Sequence, residues 1–190
     1  MYQIINNFIG NTLIVLGAIL FCGIILKKVK EITTTKNLIV LIIGAICYTI
    51  IMIYFKGTLK TLLMMCTLFG VNKYIFKADK KKTIFLITLY TLMLLIVDLF
   101  VLLFVTEFLS ISKEYYYNQF AGSIIANAIV IMLIIMITIL IKKLLRKIIN
   151  TNIETNVKII IFSILTLICS TMFLYTIVRE FRFSNDILLF

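Results

Sequence analysis

Apolar residues gather into six long runs separated by short polar connectors, and this alternation sets the class of the molecule. The runs cover residues 4–26, 38–55, 59–76, 83–107, 120–141 and 157–178. Each is about 18 to 26 residues long. At a rise of about 1.5 Å per residue, a helix of that length crosses an apolar layer roughly 30 Å thick. Within each run the apolar positions occupy every face instead of a single stripe, as in a helix surrounded by lipid or by other helices. The pattern predicts an all-α, polytopic membrane helix bundle of six transmembrane helices, forming one domain over residues 1–190. Beyond 178 a polar stretch leads to Ile187, Leu188, Leu189 and Phe190. These four residues read either as the opening of a truncated seventh span or as a short apolar tail.

Composition agrees with the pattern: 63% of residues are hydrophobic and the mean hydropathy is +1.16. Charge adds an orientation. Of the 19 Lys and Arg residues, 14 lie on or beside the first, third and fifth connectors. They are Lys27, Lys28, Lys30 and Lys36; Lys73, Lys77, Lys80, Lys81 and Lys82; and Lys142, Lys143, Arg146, Lys147 and Lys158. Basic short loops stay in the cytoplasm, so the expected arrangement is multi-pass in the cell membrane with the N-terminus outside. The first ten residues carry no charge, whereas Lys27, Lys28 and Lys30 follow the first run. A secretory signal peptide has the opposite order, so the first run is expected to remain as a membrane helix. The net charge of +11 sits in short juxtamembrane clusters. Such clusters suit an anionic lipid surface and not nucleic acid, which is met by one basic face of a soluble domain. The lipid bilayer is the first expected partner.

The chain contains no His, which removes imidazole acid–base chemistry, His-dependent nucleophiles and most transition-metal sites. No glycine-rich ATP loop is visible, and no catalytic residue, metal ligand set or cofactor is assigned. Cys22, Cys47, Cys66 and Cys169 all fall within apolar runs without a C-x-x-C pair, and are expected to be buried free thiols. Proline is absent, and no run is interrupted in the manner of transporters with broken helices.

Polar residues inside the runs are the candidate functional groups. Asp98 lies deep in the fourth run, where a carboxylate costs a few kcal/mol unless it faces the bundle or a wet cavity, or is protonated. Glu107 ends that run, and Asn127 lies in the fifth at an expected similar depth, with Ser123 nearby. An outer cluster of this kind either binds a ligand or merely hydrogen-bonds helices together. The longest outer connector carries Tyr115, Tyr116, Tyr117 and Asn118. Three successive tyrosines suit a membrane–water interface, as an aromatic belt or as the rim of a site. The candidate ligand-binding set is therefore Asp98, Glu107, Tyr115, Tyr116, Tyr117, Asn118 and Asn127. In the first run Gly10, Gly17, Ala18 and Gly23 mark places where another helix approaches closely.

Several segments carry a resemblance. The third run ends in YIFKADKKK (74–82), and a long fourth run with an acidic residue follows. The fifth opens FAGSIIAN (120–127) and closes KKLLRK (142–147), and the sixth is followed by a short polar loop. Taken together the chain resembles the membrane sensor domain of accessory-gene-regulator C-type histidine kinases, the GHKL-type peptide-pheromone receptors of low-GC Gram-positive bacteria. The resemblance implies a quorum-sensing input domain that binds a small extracellular peptide, dimerises, and signals through a further helix to a cytoplasmic kinase. No phosphoacceptor His and no ATP site lie within these residues. The residues alone leave open a small transporter or substrate-binding subunit using Asp98, or an immunity or structural membrane protein.

Overall fold

The computed structural model describes residues 2–107 and 124–150. These residues are almost entirely helical: α1 (Tyr2–Leu26), a 3₁₀ segment (Val29–Thr33), α2 (Thr35–Tyr54), α3 (Gly57–Phe76), α4 (Lys80–Glu107) and α5 (Ile124–Asn150). Four of the five α-helices, α1, α2, α4 and α5, are long and apolar enough to cross a membrane. The third helix is long enough, but Lys60, Asn72 and Lys73 make it more polar than its neighbours. The described residues thus give an all-α bundle with four candidate spans where five of the six expected spans fall. The expected sixth span (157–178) and seventh segment lie outside the described residues.

Chemistry at the helix ends explains the boundaries. Helix α1 stops because Lys27 turns left-handed (φ 60°), and the Lys28 N–H donates back to the Gly23 carbonyl at 2.9 Å. This is the six-to-one bond of a Schellman ending. Helix α3 also stops at a left-handed residue, Lys77 (φ 49°), but through the simpler five-to-one bond, its N–H donating to the Lys73 carbonyl at 3.1 Å. The tight link from α2 to α3 uses Gly57 at φ 63°, a conformation that glycine adopts without strain. Helix α5 is longer than its apolar run. It carries Lys142, Lys143, Arg146 and Lys147 as helical residues, not as a connector. Lysine, arginine and leucine are good helix formers, and Leu145 and Ile149 remain buried through the last two turns.

Helix α1 is the centre of the bundle and packs against α2, α3, α4 and α5. Val15, Ala18, Ile19 and Phe21 are fully buried. Close approach depends on small residues, as the first run predicts. A Cβ at Gly17 would lie 2.6 Å from Ile131 Cδ1, and one at Gly23 would lie 3.1 Å from Ile32 and 3.3 Å from Phe76. Across the α1–α2 contact Asn11 Nδ2 donates to Thr49 Oγ1 at 3.1 Å. Across the α1–α4 contact the Tyr90 hydroxyl donates to the Ile14 carbonyl at 2.8 Å, and its ring tilts against Phe21 at a centroid distance of 5.7 Å. Helix α2 does the opposite, turning Ile39, Ile42, Ile43, Ile46, Ile50 and Ile53 outward. In water such a face would be an aggregation surface; in a bilayer it meets lipid.

The thiols correct one expectation. Cys22 is buried, but Cys47 and Cys66 are exposed, and Cys169 lies outside the described residues. The hydrocarbon around a membrane helix is as apolar as its core, so a thiol gains nothing by choosing the inner face.

Candidate functional site

The structure distributes the expected outer residues as follows. Asp98 is on α4 and Asn127 in the first turn of α5, two helices that pack against each other. Both lie beyond the level where Tyr90 and Ile131 meet Gly17. By helix rise Asp98 stands about 12 Å beyond that level and Asn127 about 6 Å. Asn127 is half-buried. Asp98 is exposed, on the flank of the buried row Val97, Val101 and Val105 and away from Ile96, Phe100 and Phe104. Of the expected placements, facing the bundle, facing a wet cavity or being protonated, the structure gives Asp98 a position at the edge of the packed face. Glu107 is the last residue of α4. Tyr115, Tyr116, Tyr117 and Asn118, together with Ser123, lie outside the described residues.

The opposite end is better defined. Helices α1, α3 and α5 run in the same direction and finish at this end, which α2 and α4 leave. Three helix C-termini together present unpaired carbonyls and the negative ends of three helix dipoles. Lys28, just past α1, and Arg146, in the last turns of α5, meet the carbonyls of α3 and α1. Lys28 Nζ donates to the Phe76 carbonyl at 2.8 Å and pairs with Glu31 at 3.2 Å. Arg146 donates from Nε to the Ile25 carbonyl at 3.0 Å and from its second terminal nitrogen to the Ile24 carbonyl at 2.5 Å. Lys73 Nζ donates to the Ala78 carbonyl. The first, third and fifth connector regions, which the charge pattern places on one side, are bonded to one another at one end of the bundle.

A hollow of about 470 Å³ opens there. It is lined by Ile24, Lys27, Lys28, Val29, Lys30, Glu31, Lys142 and Arg146, that is, by five basic side chains and one carboxylate. The arrangement has no nucleophile or acid–base pair and is suited to holding an anion. Among the described residues no cluster of His, Cys, Asp or Glu could hold a metal ion.

Reading charges only as topology markers conceals these bonds. It also passes over Asn11, Tyr90 and Asn72. The rule that singles out Asp98, a polar residue inside an apolar run, applies equally to all three. Asn72 is buried, with Nδ2 donating to the Leu68 carbonyl at 2.9 Å and Oδ1 lacking a donor among the described residues. No protein-family model, curated protein or solved structure matches the chain, so its assignment rests on its own residues and geometry.

Proposed function

We propose that this chain is the membrane-embedded input domain of a peptide-pheromone sensor histidine kinase, in the plasma membrane of a Gram-positive bacterium. In this reading it has six spans with the N-terminus outside and passes its signal to a cytoplasmic kinase. The observation that carries the reading is Asp98, an ionisable side chain in the half of α4 remote from the basic end. An acid inside a membrane helix marks function by default. Here it would stand toward the outer surface, with Asn127, Glu107 and the tyrosines of the long outer connector near the peptide. Peptide binding there acts only through different affinities for two arrangements of the helices. The bonds joining α1, α3 and α5 at the opposite end offer a mechanical link between them. A homodimer is part of the proposal.

The experiment is binding of synthetic linear and thiolactone-cyclised peptides to the purified chain in nanodiscs. Saturable binding that weakens in Asp98→Ala and Asn127→Ala supports the proposal. Unchanged affinity for every bound peptide in both variants removes the site. The same Asp98 also serves a second reading, a small transporter in which it couples flux to an ion. Proteoliposome uptake abolished by Asp98→Asn, with no peptide binding, would favour that reading. The uninterrupted helices α1 to α5 speak against it.

A further inference from the structure

The hollow at the basic end contains more positive charge than the helix ends require. Lys28 and Arg146 are held in place by the carbonyls of Phe76, Ile24 and Ile25. Lys28 shares the single carboxylate, Glu31. Lys27, Lys30 and Lys142 line the same hollow, and their side chains make no hydrogen bond or ion pair among the described residues. Like charges in one hollow repel one another, and the repulsion is stronger beside an apolar layer than in bulk water. An anion entering the hollow relieves it. Arg146 uses two of its five N–H donors on carbonyls, which leaves donors for an acceptor in the hollow.

The position narrows the anion. The apolar length of α1 ends at Leu26, and Ile24 and Val29 give the hollow an apolar wall beside its basic rim. Val29 is 43% exposed. A cationic rim above an apolar wall, at the level where membrane helices leave the hydrocarbon, matches a phospholipid at its phosphate and glycerol. A volume of about 470 Å³ accommodates such a group. Lys27 sits where its helix turns left-handed, at a C-terminal position that glycine fills without strain. The chain keeps a basic side chain there despite that strain.

We propose that the hollow formed by the end of α1, the 3₁₀ segment and the Lys142–Arg146 turn of α5 binds the phosphate group of an anionic phospholipid. The bound lipid bridges α1 and α5 where Arg146 already joins them. This site is independent of peptide sensing and stands whether or not the outer end is a receptor.

The test is lipid binding to the full chain in neutral detergent, followed by native mass spectrometry with phosphatidylglycerol or phosphatidylcholine. The wild type should prefer phosphatidylglycerol on the order of a hundredfold, since each of the three lysines contributes roughly 1 kcal/mol toward anionic lipid. The triple variant Lys27→Gln, Lys30→Gln, Lys142→Gln should lose the preference. Lys80→Gln, Lys81→Gln, Lys82→Gln, which removes three other charges at the same end, should keep it. Inorganic phosphate forms the second arm. Phosphate that binds without lipid and depends on the same three lysines would confirm the phosphate site but give it a soluble source. Equal binding of the two lipids, or equal loss in both triple variants, would overturn the proposal and leave only diffuse attraction to an anionic surface.

Discussion

Replacing Gly17 with alanine should loosen the bundle where α1, α4 and α5 meet. The new Cβ would stand 2.6 Å from Cδ1 and 3.1 Å from Cγ2 of Ile131, and 2.8 Å from the Tyr90 hydroxyl oxygen. Carbon atoms in contact prefer about 3.5–4.0 Å, so the overlap approaches an ångström. Neither neighbour yields easily. Isoleucine has essentially one χ1 rotamer in a helix, so rotating Cδ1 away leaves Cγ2 too close. Tyr90 retreats only by giving up its 2.8 Å bond to the Ile14 carbonyl. Overpacking costs about 1–3 kcal/mol, and a lost interhelical hydrogen bond in a membrane adds about 0.6–1 kcal/mol. Alanine recovers up to about 1 kcal/mol of helix propensity. The expected net loss is about 1–3 kcal/mol. The chain has no Trp to report unfolding, but buried Cys22 can. With Cys47, Cys66 and Cys169 changed to Ser, the labelling of Cys22 in an SDS titration reads the opening of the bundle. A double-mutant cycle with Tyr90→Phe tests the cause, because removing the hydroxyl should relieve about 1 kcal/mol of the Gly17→Ala cost. The control is Gly70→Ala, where a Cβ meets nothing within 4 Å. If Gly17→Ala costs no more than Gly70→Ala, the close meeting of α1, α4 and α5 is refuted.

Other substitutions probe separate bonds with the same titration. Arg146→Gln removes the bonds to the Ile24 and Ile25 carbonyls and should cost about 1–3 kcal/mol. Arg146→Lys should recover less than half of that, because an ammonium cannot reproduce the planar fork. Asn11→Ala leaves Thr49 without its partner across the α1–α2 contact and should cost about 1 kcal/mol, an effect that should vanish in a Thr49→Ala background. Lys77→Gly, at φ 49°, should gain up to about 1 kcal/mol by relieving left-handed strain. A loss there would mean that the lysine side chain makes a compensating contact.

The helices were legible because a membrane imposes a length and an apolar composition that few other structures share. α1, α2, α3 and α4 begin and end within about three residues of the predicted runs. The exception is α5, whose last turns carry Lys142, Lys143, Arg146 and Lys147. The expectation tied the end of the helix to the end of hydrophobicity, and the two separate wherever basic residues with good helix propensity continue a turn. What could not be read was which way each side chain faces. A soluble helix announces its inner face by a stripe. A helix apolar on all sides does not, so Asp98 turned out exposed and Cys47 and Cys66 met the outside while Cys22 met the core. Facing becomes legible only where size or polarity breaks the uniformity, as at Gly17 and Gly23, which admit Ile131, Ile32 and Phe76.

The basic residues show why one property can hide another. Their distribution over connectors reads as a marker of one side of a membrane, and that reading accounts for them as far as the sequence goes. Yet parallel helices that finish together also leave carbonyls to be satisfied, in a region where water begins but the hydrocarbon is still near. Lys28 and Arg146 answer both demands, since the charge that holds them at the surface also caps α3 and α1. The rule for orientation depends only on the number of charges per loop, so it would be met equally by lysines placed anywhere in the connectors. Capping depends on position. Moving Arg146 by one residue turns its side chain through about 100° around the helix, away from α1, while leaving the charge count unchanged. Insertion should then proceed with the same topology while the junction between α1 and α5 loosens, which separates the two roles experimentally: reporter fusions read the first and Cys22 labelling the second.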